Sequence, residues 1–192
     1  QHRNLQNSWN FPFIRRWNWA EKSKGILKMS SQTLFNGVSV VVDTMVIINF
    51  HGLLALDRLI NWAKGELVVE KHVKNEARFS MNGPINLEPY LQQKLIIEEG
   101  IEGKEQEDLF YFYISNKLTG TIIHAAEAAC LALAISKGYG LACDEKAVRN
   151  EFKKKCPNQI CVHSWGIVDR ANKLGFIGDQ EADDLKKGFY FL

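Results

Sequence analysis

A chain of 192 residues that is 46% hydrophobic and 24% charged has the composition of a soluble globular protein and the length of one domain with an extension. No apolar stretch approaches the roughly 18 to 20 residues that cross a bilayer, and no basic region, apolar core and cleavage site follow one another at the amino terminus. Membrane insertion and export are therefore not expected, and a cytoplasmic location is.

The net charge of +2 is unevenly spread. Within residues 1–36, Arg3, Arg15, Arg16, Lys22, Lys24 and Lys28 stand against Glu21 alone, a local +5 that leaves −3 for the remainder. Trp9, Trp17, Trp19, Phe11 and Phe13 lie among these cations. Such a mixture can hold a nucleic acid strand by phosphate pairing and base stacking, or it can dock its aromatics on the domain or on a second subunit. Residues 1–36 are thus set apart as a basic, Trp-rich extension, and residues 37–192 as the folded domain. Cys130, Cys143, Cys156 and Cys161 are too few and too irregular for a disulfide framework. The pair Cys156 and Cys161 has no second pair to complete a zinc site.

The first element is a β-branched run, Val38 to Val42, which predicts a strand buried on both faces and closed by an acid, Asp43. Asp43 can cap a following helix through Thr44 to Asn49, or it can face a cleft beyond the carboxyl end of the strand, where open α/β sheets place their ligands. Apolar residues at helical spacing predict two short helices or one kinked helix over Thr44 to Ala63. Glu66 to Val69 reads as a second strand and Glu70 to Phe79 as a helix carrying Glu76. Met81 to Tyr90, with Gly83-Pro84 and Pro89, is predicted as a loop. Leu91 to Leu118 is predicted helical in two pieces broken around Gly100 to Gly103, the second bearing the aromatic group Phe110 to Tyr113, a core or dimer surface. After a turn at Asn116 to Gly120, a helix capped by Thr121 runs through TIIHAAEAACLALAISKG and holds one acid, Glu127, with His124 one turn before it. Gly138 ends that helix. Tyr139 to Cys143 is a third strand, again closed by acids, Asp144 and Glu145. A basic helix over Ala147 to Lys155, a fourth strand over Ile160 to His163 and helices over Ser164 to Leu174 and Asp179 to Lys187 complete the chain.

Alternation of strand and helix predicts a three-layer α/β/α fold around a mainly parallel sheet of four or five strands. No Gly-rich phosphate loop follows any strand, which argues against a dinucleotide-binding or P-loop domain. In a parallel sheet the strand ends of one edge converge, so Asp43, Glu76, Glu127 and Asp144 can share a pocket. Four carboxylates so close repel one another unless protons or a cation intervene. An all-oxygen donor set favours Mg²⁺ or Mn²⁺ over Zn²⁺.

The order and context of these acids resemble the PIN domain family of metal-dependent nucleases. The matching stretches are VVVDTMVIINF around Asp43, VVEKHVKNEA near Glu76, HAAEAACLALA around Glu127 and GLACDEKAVR around Asp144, with WGIVDRANKLGFI near the end. The resemblance implies a ribonuclease, possible toxin of a toxin–antitoxin pair with an antitoxin as partner, that hydrolyses phosphodiester bonds of single-stranded RNA. It implies Asp43, Glu127 and Asp144 as ligands of Mg²⁺ or Mn²⁺, with Glu76 completing the catalytic acids. Thr44, His124, Lys146 and Arg149 are the candidate substrate contacts. Two positions depart from the family pattern: Met45 stands where a Ser or Thr is frequent, and His124-Ala125-Ala126 replaces a Gly-Glu. A catalytically weak binding or assembly module and a DNA nuclease are the competing expectations, and the aromatic group at Phe110 to Tyr113 suggests a homodimer.

Overall fold

The computed structural model describes residues 32–116, 118 and 120–189. The basic, Trp-rich stretch lies outside the described residues, up to Ser31. Charge alone draws the domain boundary at 37, whereas the folded unit begins at Gln32, because Leu34 and Phe35 are fully buried in its core. One acid fastens this entry segment. Glu66, itself buried, accepts hydrogen bonds from the Phe35 N–H at 2.7 Å, the Gly37 N–H and the Thr33 hydroxyl. Removing this charged acceptor leaves the buried Phe35 N–H unsatisfied, at about 1–3 kcal/mol, and also frees the less buried Gly37 N–H and Thr33 hydroxyl. Glu66→Ala is therefore expected to lose about 3 kcal/mol in urea unfolding, against little change for a surface control such as Glu102→Ala.

A five-stranded, wholly parallel sheet organises the chain, its strands lying from one edge to the other in the order 96–99, 67–70, 40–42, 140–142 and 161–162. Its strands are β1 (Val40–Val42), β2 (Leu67–Glu70), β5 (Ile96–Glu99), β6 (Gly140–Ala142) and β7 (Cys161–Val162). Helices α1 (Thr44–Gly52) and α2 (Leu56–Ala63) connect β1 to β2, and α3 (Lys71–Glu76) follows β2. A separate antiparallel hairpin, β3 (Phe79–Ser80) with β4 (Gly83–Pro84), precedes α4 (Glu88–Gln92). Next come α5 (Lys104–Ser115), α6 (Ala125–Lys137), α7 (Lys146–Lys155), α8 (Ser164–Lys173) and α9 (Asp179–Gly188). Helix α6 packs against α3, α5 and α7, while α8 packs against α1 and α9. The helices flank the sheet, and the result is the expected three-layer α/β/α architecture.

Strands covered on both faces need no polar alternation, and β1 obeys this: Val40, Val41 and Val42 are all buried. Close strand packing also explains Gly140. A Cβ there would lie 3.0 Å from the Ile160 carbonyl oxygen and 3.0 Å from Val40 Cγ2, so the position opposite Val40 admits no side chain without displacement. Among the described residues, no helix is long and apolar enough to cross a membrane.

Several expectations require correction. The helix expected over 70–79 is confined to Lys71–Glu76, with Glu70 ending β2 and Phe79 in β3. Residues 91–118 do not form two helical pieces: Ile96–Glu99 is an edge strand paired with Leu67–Glu70. Its β-branched pair gains backbone partners from a strand distant in sequence, and its charges sit at a sheet edge, Glu98 meeting Lys74 at 2.5 Å and Glu99 meeting Tyr139 at 3.1 Å. Thr121 does not cap α6. It bridges back to Leu118, and the helix starts at Ala125 with His124 at its N-cap. The stretch 81–90 is not loop throughout, since it contains β4 and the beginning of α4.

Candidate functional site

All five strands run in one direction, so their carboxyl ends share one edge, and each meets a chemically capable residue there: Asp43 after β1, Glu70 ending β2, Glu99 ending β5, Asp144 just beyond β6 and His163 after β7. Strand order reverses between β1 and β6, since the chain proceeds from β1 towards β2 and later returns to the opposite side of β1. Ligands of open α/β sheets bind outside the carboxyl ends at such a reversal. Asp43 and Asp144 flank it.

Asp43 is the unusual member. It is 1% exposed and occupies the N-cap of α1 without any side-chain capping bond, so the simple helix-cap role is not the one it plays. Its Oδ2 accepts from the Cys143 thiol at 3.5 Å, and its Oδ1 meets no hydrogen-bond donor among the described residues. Burial, followed by the negative charge of Glu127 and with a smaller contribution from Asp144, pushes the Asp43 carboxyl up to about 7. Unpartnered buried carboxylates are costly, and this one lies in the field of two further acids. The Cys143 thiol is pushed up as well, by its own burial and then by Asp43.

The other acids are held differently. Asp144 is half-buried and committed to protein donors: Oδ1 accepts from the Ser164 N–H at 2.7 Å, and Oδ2 accepts from the Ser164 hydroxyl at 2.5 Å and Asn49 Nδ2 at 2.8 Å. It thereby satisfies an orphan N–H at the start of α8. Glu127 sits in the first turn of α6, half-buried, and its Oε2 accepts from the His124 N–H at 2.8 Å. That local bond is the returning half of a capping box. Glu76 is exposed at the end of α3, and the Thr44 hydroxyl donates to it at 3.3 Å, which places it beside the residue that follows Asp43.

Thr44 is thus gathered with the acids. His124 lies exposed at the α6 N-cap, Lys146 is exposed at the first position of α7, and Arg149 donates to the Cys143 carbonyl oxygen at 2.8 Å. Met45, the departure that follows Thr44, is 46% exposed. Glu70 reads in the sequence as the first residue of a helix and is not among the candidate acids. It is fully buried at the end of β2, accepts from the His72 N–H at 2.6 Å and pairs with His72 Nδ1 at 3.0 Å. The signal was present, an acid closing an apolar run just as Asp43 does.

Among the described residues, no three His, Cys, Asp or Glu side chains already stand close enough together to hold a metal ion. The donors nevertheless suit a hard divalent cation in kind. Asp43 brings a buried oxygen without a donor, Glu127 and Asp144 bring further carboxylates to the same field, and neutralisation by a cation would remove the mutual repulsion. A parallel α/β sheet with an acid after each of the two strands that flank its topological switch defines the class of site. No known family model matches the chain, and no curated protein is similar enough to match it.

Proposed function

We propose that this protein is a Mg²⁺- or Mn²⁺-dependent nuclease that hydrolyses phosphodiester bonds of single-stranded RNA. The observation that carries this reading is the Asp43 carboxylate, buried at the switch point with Oδ1 unpartnered among the described residues and in the field of Glu127 and Asp144. Asp43, Glu127 and Asp144 are the residues that would hold the ion. When bound, such an ion lowers the pKa of a water and stabilises charge on phosphoryl oxygens.

The chain's own groups then have distinct tasks. Asn49 and Ser164 fix the direction of Asp144, as partners around a ligand do. Thr44 and Glu76, joined by their hydrogen bond, line the rim beside Asp43. Lys146 and Arg149 supply positive charge next to an acidic edge that would otherwise repel a polyanion. A second copy of the chain is the protein partner proposed alongside this activity, covering Tyr111 and Phe112, which are 63% and 52% exposed; sedimentation velocity of the full chain would read it.

The test is cleavage of a labelled single-stranded RNA by the full chain in Mn²⁺, compared with a DNA strand of the same sequence. Asp43→Asn is expected to abolish cleavage while the circular dichroism spectrum stays unchanged. Equal cleavage by this variant, or none by the unaltered protein across a Mn²⁺ titration, would overturn the proposal. The second outcome would favour the binding-module alternative.

A further inference from the structure

Helix α7 begins two residues beyond Asp144 and carries Lys146, Arg149, Lys153, Lys154 and Lys155 against Glu151 alone. Its buried side is apolar, formed by Ala147, Val148 and Phe152. Positions 146, 149 and 153 recur at helical spacing and so fall on one face, away from that apolar stripe.

Elsewhere on the molecule, single helix lysines unpaired among the described residues, such as Lys71, Lys104 and Lys173, stand apart from one another, and other helix cations are matched. Arg58 meets Glu181, Lys74 meets Glu88 and Glu98, and Lys186 meets Asp169. On α7 the ion pair is Lys154 with Glu151 at 3.6 Å. Lys146 and Lys153 have no acidic partner within salt-bridge distance among the described residues. Lysines in a last turn suit the helix dipole, which accounts for Lys153, Lys154 and Lys155 near the carboxyl end. It does not account for Lys146 at the first position, where a cation opposes the dipole.

We infer that the Lys146–Arg149–Lys153 face of α7 is a track for the phosphate backbone of single-stranded RNA, leading away from the acid edge. The inference rests on the nuclease reading for its choice of ligand and extends it by giving the strand a direction. Arg149 anchors the start of the track. Its guanidinium is held on the carbonyl oxygen of Cys143, the residue that precedes Asp144. From Lys146 to Lys153 the helix rises about 10 Å, enough for a short run of backbone to meet cations on successive turns. The acid edge repels phosphates, so attachment must come from charges beside it, and α7, which starts two residues after Asp144, supplies them.

The experiment uses the full chain, a fluorescein-labelled oligouridylate and EDTA, so that binding is read without cleavage. Anisotropy is followed from 50 to 300 mM salt for the unaltered protein and for Lys146→Gln/Lys153→Gln. Both positions are exposed, and thermal melting checks that the variant is folded. Binding is expected to weaken about tenfold at the lowest salt, with the slope of log affinity against log salt shrinking by about 1.4, the value for two contacts to a single strand. Unchanged affinity and slope in a folded variant would overturn the track, as would failure of the unaltered protein to bind RNA. Displacement of the RNA by polyglutamate at equal charge concentration would overturn the choice of ligand. Cleavage in Mn²⁺ separates the two proposals. An unaltered protein that binds through α7 yet never cleaves leaves the track standing without the nuclease; one that cleaves while the double variant binds normally leaves the nuclease without the track.

Discussion

In the absence of metal, Asp43→Asn is expected to flatten the pH dependence of stability that the unaltered protein shows between about pH 4 and pH 7. The Asp43 carboxyl rises from an ordinary 3.8 to about 7 in the folded chain, chiefly through burial and then through Glu127. Over that interval the folded state retains a proton that the unfolded state has released. Stability is therefore fully present below the unfolded value and is lost as pH rises through the folded one. At about 1.4 kcal/mol per pH unit the loss reaches roughly 4 kcal/mol above pH 7. An asparagine carries no charge to bury, so the variant should be about 2 kcal/mol more stable than the unaltered protein at pH 8 in EDTA, after allowing for the unmet donors of its amide. Urea unfolding across pH 4 to 8 reads both effects.

Mn²⁺ should reverse the ranking. At one hundred times its dissociation constant, a ligand confined to the folded state adds about 2.7 kcal/mol. The unaltered protein is expected to gain this and the variant to gain nothing. A variant that declines with pH as steeply as the unaltered chain would remove Asp43 as the source of the slope.

Asp144 is expected to behave in the opposite sense, although it belongs to the same edge. Its carboxylate is engaged by the Ser164 N–H, the Ser164 hydroxyl and Asn49. Ser164 is 2% exposed, so its N–H has no water to turn to when the acceptor is removed. Loss of the anion also withdraws a favourable charge from the amino end of α8. Asp144→Ala should cost about 3 kcal/mol in urea unfolding at pH 7, and Asp144→Asn, which keeps an acceptor in place, about 1 kcal/mol. No loss of stability in the alanine variant would show that the three hydrogen bonds are not maintained in solution. The contrast with Asp43 has a simple origin: one carboxylate is buried with an oxygen left unmatched, and the other is matched on both oxygens.

The central strands and the placement of their acids were legible in the sequence because the signals are local. Val38 to Val42 and Tyr139 to Cys143 are apolar runs of strand length, and Asp43 and Asp144 directly follow them. Gly138, with φ of 67° at the end of α6, is a helix stop of the kind a sequence displays. Elements whose backbone partners lie far away in the chain were not legible. Ile96–Glu99 reads as helix by itself and becomes a strand because Leu67–Glu70 lies alongside it. Glu66 and Glu70 read only as the first residues of the second strand and of the helix after it, and they are buried because distant or capping N–H groups require them.

The sequence by itself determined the layered α/β plan and the candidates Asp43, Glu76, Glu127 and Asp144, since hydrophobic periodicity and strand-end position are properties of short stretches. Only the tertiary structure decided what each acid does. It left Asp43 buried with an unmatched oxygen, committed Asp144 to Asn49 and Ser164, turned Glu127 towards the start of its own helix and set Glu76 against Thr44. Desolvation and hydrogen-bond matching depend on groups brought together across the fold, and no local pattern encodes them.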